Sequence, residues 1–383
     1  MVGLSYVIAT GLGVVMRLDL LGWRTGVPFD HTLHAHSHTL YFGWAGLGVL
    51  IMATRALGTH RAALSRTMIF LALSTPAIFV GFLALGYHPV TIAMSTVVML
   101  AWYLATWLWW REAREAKGVG FSFLRTAFAY LVASSFGVWV LGVLQATGAG
   151  TPLSETLAIH GFLLGFAWFL VLGMIGLMTL NSDRLGLALD DRVVRRALSW
   201  WMPLAILTFP LGVVDGPEVT WLGPAGRLAG LVLLYPAWLW VRALWQAAPF
   251  GPSGRSWRMV SVWFAMAATA TAAVSIAGTP ALSWAGRQGV VFYLHVLLVG
   301  FVSTSLVAVL TERPPIHLFD VHHLTLGVMV AGLAMASAGL FVAGMWVAAV
   351  GGAALWVVGV GLTSLVVAKP AILGRKLETR RPS

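Results

Sequence analysis

The sequence predicts an all-α, polytopic membrane protein with about twelve transmembrane helices in three pseudo-repeated four-helix blocks. Of its 383 residues, 59% are hydrophobic and only 10% are charged, whereas a soluble domain carries about 25% charged residues. Apolar stretches recur along the whole length, and each is long enough to span a hydrocarbon core of about 30 Å. We therefore expect one integral-membrane domain over residues 1–383, without a separate soluble domain.

Twelve apolar stretches are expected to cross the bilayer. They cover residues 2–23, 32–56, 64–86, 90–110, 121–145, 153–180, 193–214, 225–245, 260–278, 289–310, 318–344 and 347–368. No basic segment precedes the first stretch, so it is expected to be a retained span and not a cleaved signal. Grouping the spans in fours gives pseudo-repeats at about 1–118, 119–250 and 251–383, and internal repeats are common in membrane folds.

Basic residues are distributed unequally between the two sides of the predicted bundle. Most of the 24 lysines and arginines fall in the loops after even-numbered spans or in the tail: Arg55, Arg61, Arg66, Arg111, Arg114, Lys117, Arg125, Arg184, Arg192, Arg195, Arg196, Arg242, Arg255, Arg258, Arg313, Lys369, Arg375, Lys376, Arg380 and Arg381. By the positive-inside rule, both termini are cytoplasmic in a bacterial or archaeal cytoplasmic membrane. The net charge of +11 is therefore a topology signal near anionic lipid and does not indicate nucleic acid.

The chain contains no cysteine. This excludes disulfides, c-type haem attachment, iron–sulfur ligation and thiolate-bound copper. Any bound metal must therefore be held by His, Met, Asp, Glu or Tyr.

Three spans open with a histidine, a glycine five residues later and then an aromatic residue. The triplets are His38–Gly43–Trp44, His160–Gly165–Phe166 and His295–Gly300–Phe301. They fall in spans two, six and ten, and each of these is the second span of its four-helix block. At 1.5 Å per residue, the three histidines lie about 10 Å below the outer edge of the membrane. Histidine within a span is rare and usually functional, so a metal or haem centre is expected. The glycines have two interpretations, close helix approach or space beside a porphyrin.

The second span begins with the densest histidine cluster, HTLHAHSHTLYFGW. His31, His34 and His38 share one helical face, and His36 points roughly the other way. One face can therefore ligate a haem while the other holds a second metal, although His31 and His34 are also near enough to the interface to be solvated. A ligating histidine needs a partner for its second nitrogen, and the candidates are Ser37, Thr39, Tyr41 and Tyr293.

Cationic residues near the outer interface are candidates for binding haem propionates. They are Arg17, Arg24 and Arg287, and the alternative for Arg17 is a structural pair with Asp19.

The remaining histidines are expected outside the outer cluster. His88 is expected at the outer interface and His60 in a cytoplasmic loop. His317, His322 and His323 begin span eleven near the cytoplasmic surface, too far from the outer cluster to share its site.

The topology and three short motifs resemble the catalytic subunit of the haem–copper oxidase superfamily, which includes nitric oxide reductases. HAHSHTLYFGWAG is similar to its second span, VVFYLHVLLVGF to its tenth and IHGFLLGFAWFLVLGM to its sixth. The repeated openings also resemble NnrS, a haem- and copper-containing membrane protein. The resemblance implies that His36 or His38 and His295 are axial ligands of a b-type haem. It also implies that His160, with His34 or His36, holds a second haem or copper.

The sequence departs from the oxidase pattern at the dinuclear centre. Span seven contains no histidine, span ten contains only His295, and the arginine pair expected between spans eleven and twelve is absent. A single bis-histidine haem is therefore more economical than an oxygen-reducing, proton-pumping centre. The expected partners are lipid, nitric oxide or oxygen, and a quinol or periplasmic electron carrier. The alternatives are a cation or metal transporter with an outer histidine-rich capture site, and a structural subunit.

Overall fold

The computed structural model describes residues 2–20, 22–23, 26–58, 61–197, 199, 222–248, 252–277 and 293–311. Within these ranges the chain is helical and contains no β-strand. This confirms the predicted all-α class. Spans eleven and twelve and most of span seven lie outside the described residues. The total of twelve spans and the three repeated blocks therefore stay predictions.

The helices coincide closely with the predicted spans. They are α1 Val2–Leu20, α2 Phe29–Leu57, α3 Ala62–Leu85, α4 Pro89–Glu112, α5 Val119–Thr147, α6 Pro152–Leu180, α7 Leu222–Val232, α8 Leu234–Ala247, α9 Pro252–Ala277 and α10, which joins His295–Ser303 to Thr304–Thr311. Short helices at Ala113–Glu115 and Ser182–Leu185 follow α4 and α6.

Predicted span eight is interrupted once, between α7 and α8. Leu233 is a turn residue, although its N–H still bonds the Ala229 carbonyl at 3.0 Å and its carbonyl still accepts from Ala237. Pro236 follows three residues later and lacks the N–H that would bond the Val232 carbonyl. The interruption is therefore local, and α7 and α8 together cover the predicted span.

Helices α2, α6 and α10 contact one another at the centre of the bundle. Small residues permit the approach: Gly48 of α2 faces Leu306 of α10, and Gly173 of α6 faces Val49 of α2. The most apolar windows of α2 and α6 are 67% and 76% buried, against 22% for both α3 and α4. Among the described helices, α2, α6 and α10 are therefore buried against one another, whereas α3 and α4 are largely exposed.

The outer helices α3 and α4 expose large apolar side chains on the faces that turn away from the centre. Ile69, Leu73, Val80, Val97 and Leu100 are each about half exposed or more. Six of the described helices are long and apolar enough to cross a membrane. Exposed apolar surface of this extent is disfavoured in water, so the natural environment of these helices is a lipid bilayer.

Loops rich in basic residues meet at one end of the bundle. Arg61, before α3, forms an ion pair with Glu112 at the end of α4, with Nε and Oε2 3.0 Å apart. Gly120, which follows the loop after span four, packs against Leu180 at the end of α6, since an added Cβ would lie 2.5 Å from Leu180 Cγ. The Ala188 N–H, in the loop after span six, donates to the Ala247 carbonyl at 3.3 Å. The loops after spans two, four, six and eight thus share one end, as the charge distribution predicts.

The absence of cysteine allows this topology to be tested with single introduced thiols. We expect His88→Cys to react with a membrane-impermeant maleimide in intact cells and Lys117→Cys to react only after permeabilisation. Leu100→Cys, on the lipid-facing side of α4, should stay unreactive in both conditions until detergent denatures the protein. Labelling of Lys117→Cys in intact cells would reverse the predicted orientation.

Candidate haem site

Two of the three histidine openings coincide with π-helical segments. Thr39–Gly46 of α2 begins directly after His38, and His295–Ser303 of α10 begins at His295 itself. The Ser303 and Thr304 hydroxyls bond carbonyls five residues earlier, at 2.9 and 3.1 Å, in keeping with i→i+5 geometry. π-Helical turns are rare and occur frequently at functional sites. The third opening, around His160, lies within the α-helix Pro152–Leu180, so the three are not structurally equivalent.

The openings of α2 and α10 bring the rings of His36 and His295 close together. Their ring centroids are 6.5 Å apart, and their ring planes differ by 15°. His295 is the first residue of its π-helix, while His36 stands three residues before the π-helix of α2. This pairing of histidines from distant parts of the sequence is the central feature of the candidate site.

The orientation of the His36 ring is fixed by α1. Its Nδ1 lies 2.7 Å from the Ala9 carbonyl oxygen, and because a carbonyl only accepts, Nδ1 carries the proton. The lone pair is then on Nε2, the tautomer that a metal-binding histidine uses when its other nitrogen is held by a carbonyl. Gly13 of α1 borders the same ring, since a Cβ there would lie 3.5 Å from His36 Cε1.

His38 faces a different helix. Its ring is 4.1 Å from the ring of Phe82 on α3 and 5.9 Å from that of Phe42, measured between centroids. Its Nδ1 donates to the His34 carbonyl one turn earlier, at 3.0 Å. The structure thus places His38 in an aromatic environment against α3 and places His36, not His38, opposite His295.

His34 and His31 lie towards the predicted outer end of the same face as His38. The His34 ring contacts Tyr87 edge-on at 4.3 Å between centroids, and His31 Nδ1 donates to the Leu83 carbonyl at 3.2 Å. Across the described part of the chain, no group of three or more His, Cys, Asp or Glu residues could hold a metal ion.

Several predicted site residues cannot be placed. The backbone of His160 and of Arg17 belongs to α6 and α1, but their side chains lie outside the described structure. Arg24, Arg287, His317, His322 and His323 lie outside it entirely. The proposed propionate partners and the second metal site therefore stay predictions.

The glycines of the openings serve helix packing. A Cβ on Gly300 would lie 2.8 Å from Trp263 Cγ on α9, and one on Gly43 would lie 2.9 Å from Ser5 Oγ on α1 and would also meet Thr75 of α3. Of the two interpretations offered by the sequence, close helix approach accounts for both residues.

Comparison with known proteins yields no family. No family model matches the chain, and no curated protein matches it.

Sequence reasoning missed three parts of the site: the π-helices, the Ala9 carbonyl as the partner of His36, and a hydrogen bond between Trp44 and Ser303 at 2.9 Å. Of the candidates proposed from sequence, Ser37 donates to the Leu33 carbonyl, Tyr293 accepts from Thr271, and the Thr39 hydroxyl is buried without a hydrogen-bond partner among the described residues. The five-residue spacing between histidine and glycine did not identify the π-helices, because the same spacing at His160 lies in an α-helix.

The packing role of Gly300 predicts the effect of adding one methyl group. Gly300→Ala should destabilise the protein by about 1–3 kcal/mol, since the new Cβ meets the base of the Trp263 side chain and not a flexible end. Gly142→Ala on α5, where nothing lies within 4 Å of the added Cβ, is the matched control. Thermal unfolding in detergent measures both, and equal melting temperatures would exclude the packing role.

Proposed function

We propose that this chain is a membrane haem protein of the haem–copper oxidase or NnrS kind, in which His36 and His295 bind opposite faces of one b-type haem. One observation carries the proposal: the imidazole rings of His36, three residues before one π-helix, and His295, the first residue of the other, are near-parallel with centroids 6.5 Å apart. This narrows the choice left open by the sequence, where either His36 or His38 was a candidate.

The separation of the rings fits a shared metal. A histidine nitrogen lies about 2 Å from a bound first-row metal such as zinc, so two imidazoles on opposite sides of one ion have centroids about 6 Å apart once the ring radius is added. The 6.5 Å separation agrees with this. A haem needs only two protein ligands, so it is compatible with the lack of a three-residue metal group among the described residues.

The surroundings suit a low-dielectric haem site. The residues that follow His295 are fully or almost fully buried and apolar, among them Val296, Leu297 and Leu298. Ala35, beside His36, is also fully buried. When bound, a haem supplies one-electron chemistry, and the protein tunes its potential through ligand choice, burial and hydrogen bonds to the ligands. The Ala9 carbonyl makes His36 a more basic ligand by accepting its Nδ1 proton.

Two histidine ligands favour electron relay over gas chemistry at this haem. His36 and His295 would together hold the haem and would leave nitric oxide or oxygen no ready access to it. Reduction of such a gas would need the second centre that the resemblance assigns to His160. We therefore propose that a haem held by these two histidines would supply one-electron transfer between a quinol or a periplasmic carrier and such a centre in the cytoplasmic membrane.

The ligand assignment predicts a sharp difference between neighbouring histidines. His36→Ala and His295→Ala should each abolish the low-spin haem spectrum of the purified, dithionite-reduced protein. His38→Ala, two residues away but facing α3, should retain it and serves as the matched control. If wild-type protein carries no haem, the proposal fails. If His38→Ala loses haem while His36→Ala keeps it, the assignment of the ligand fails.

The 15° angle between the ring planes makes a spectroscopic prediction. Near-parallel imidazole planes give a rhombic low-spin ferric EPR signal, whereas perpendicular planes give a strongly axial signal with a large maximum g-value. We expect the rhombic signal in the oxidised protein. A strongly axial signal would show that the haem is held by a differently oriented pair.

A further inference from the structure

The two π-helices are joined by a buried hydrogen bond. Trp44 Nε1 donates to Ser303 Oγ at 2.9 Å, and both residues are almost completely buried. Trp44 lies in the π-helix of α2 and Ser303 is the last residue of the π-helix of α10. The bond therefore connects helix α2, eight residues after His36, with helix α10, eight residues after His295.

The two residues of this hydrogen bond are separated along the sequence by the same number of residues as the two histidines. Trp44 and Ser303 are 259 residues apart, and so are His36 and His295. Further along, Gly48 faces Leu306 at nearly the same offset. Contacts that advance together along both helices show that α2 and α10 run parallel and in register. A slip of either helix would break the hydrogen bond and move the histidines apart together.

Both partners of the bond are held in place. The Ser303 hydroxyl donates to the Leu298 carbonyl at 2.9 Å, so its oxygen is the acceptor of the Trp44 N–H. The Trp44 ring stacks on Tyr6 of α1, with centroids 4.2 Å apart and planes within 8°. Tyr6 lies three residues before Ala9, one turn along the helix that orients His36. Helices α1, α2 and α10 are thus connected to one another through Tyr6, Trp44 and Ser303.

We propose that the Trp44–Ser303 hydrogen bond is a positioning contact that fixes the register of α2 against α10 and thereby the separation of His36 and His295. The inference rests on the proposed haem function, because its consequence is how firmly His36 and His295 would hold a haem. Trp44 and Ser303 act on the histidines through the helices that carry them. Loosening the register would weaken that hold and would make a bound haem accessible to an added gas.

The test uses full-length protein in detergent, with carbon monoxide as the probe. Reduced wild-type protein should show no change in its low-spin haem bands with carbon monoxide, because His36 and His295 would both stay bound. Ser303→Ala and Trp44→Phe should retain haem but convert part of those low-spin bands with carbon monoxide, clearly above the wild-type background. Ser303→Thr keeps the hydroxyl and should restore wild-type behaviour. Trp139→Phe removes another indole hydrogen bond, to Tyr103 Oη at 2.8 Å on the exposed side of the bundle, and should have no effect.

The double variant Trp44→Phe/Ser303→Ala distinguishes the loss of one shared hydrogen bond from two independent destabilising effects. If the two residues act through one hydrogen bond, the double variant should give the same reactive fraction as either single variant, because the same interaction is lost once. If the reactive fractions of the two single variants added up in the double variant, Trp44 and Ser303 would act independently and the proposal would be wrong. If one single variant does not fold, the other still decides the matter through its carbon monoxide difference spectrum and its EPR line shape.

Failure of the inference is distinct from failure of the proposed function. Haem-loaded Ser303→Ala and Trp44→Phe proteins with wild-type spectra and no carbon monoxide reactivity would overturn the positioning role and leave the histidine ligands intact. Wild-type protein without low-spin haem would overturn the proposed function and the positioning role with it.

Discussion

Hydrocarbon offers no hydrogen-bond partner to the backbone, so each helix within a bilayer must satisfy its own polar groups. The side chains obey the same constraint. Most buried hydroxyls of the described helices bond a carbonyl of their own helix, as Thr54, Thr67 and Thr75 do with carbonyls four residues earlier. A polar contact between helices is then an exception that fixes relative position. The bonds from His36 to Ala9 and from Trp44 to Ser303 are such exceptions, and both lie at the candidate haem site.

Packing between helices α2, α6 and α10 depends on glycines at the contact points. Gly48 and Gly173 let Leu306 and Val49 approach the backbone, which brings α2, α6 and α10 into mutual contact. In a membrane, such contacts replace the hydrophobic effect as the main source of helix association. The same residues that make the bundle compact therefore also bring His36 within 6.5 Å of His295.

Much of this fold could be predicted from the sequence, and for a physical reason. An apolar stretch of about 20 residues in a membrane has little choice but to be a helix, so the boundaries of α1 to α6 agree closely with the predicted spans. The interruption at Leu233 and the π-helices were not predicted, because apolar composition is the same for α and π geometry. The histidine faces were predicted from helical periodicity. Periodicity does not say which face meets a distant helix, so the choice between His36 and His38 required the packing of α2 against α10.

The unequal geometry of the three histidine openings bears on function. A symmetric set would favour a three-histidine centre, but only two of the openings are π-helical, and those two are in register with each other. Helix α6 contacts both π-helical spans but keeps α-helical geometry around His160. A pair of ligands held from two sides resists exchange with an incoming gas, which suits electron transfer. In the proposed protein, the haem site formed by His36 and His295 would therefore serve electron transfer. Any reaction with nitric oxide or oxygen would take place on the side of α6.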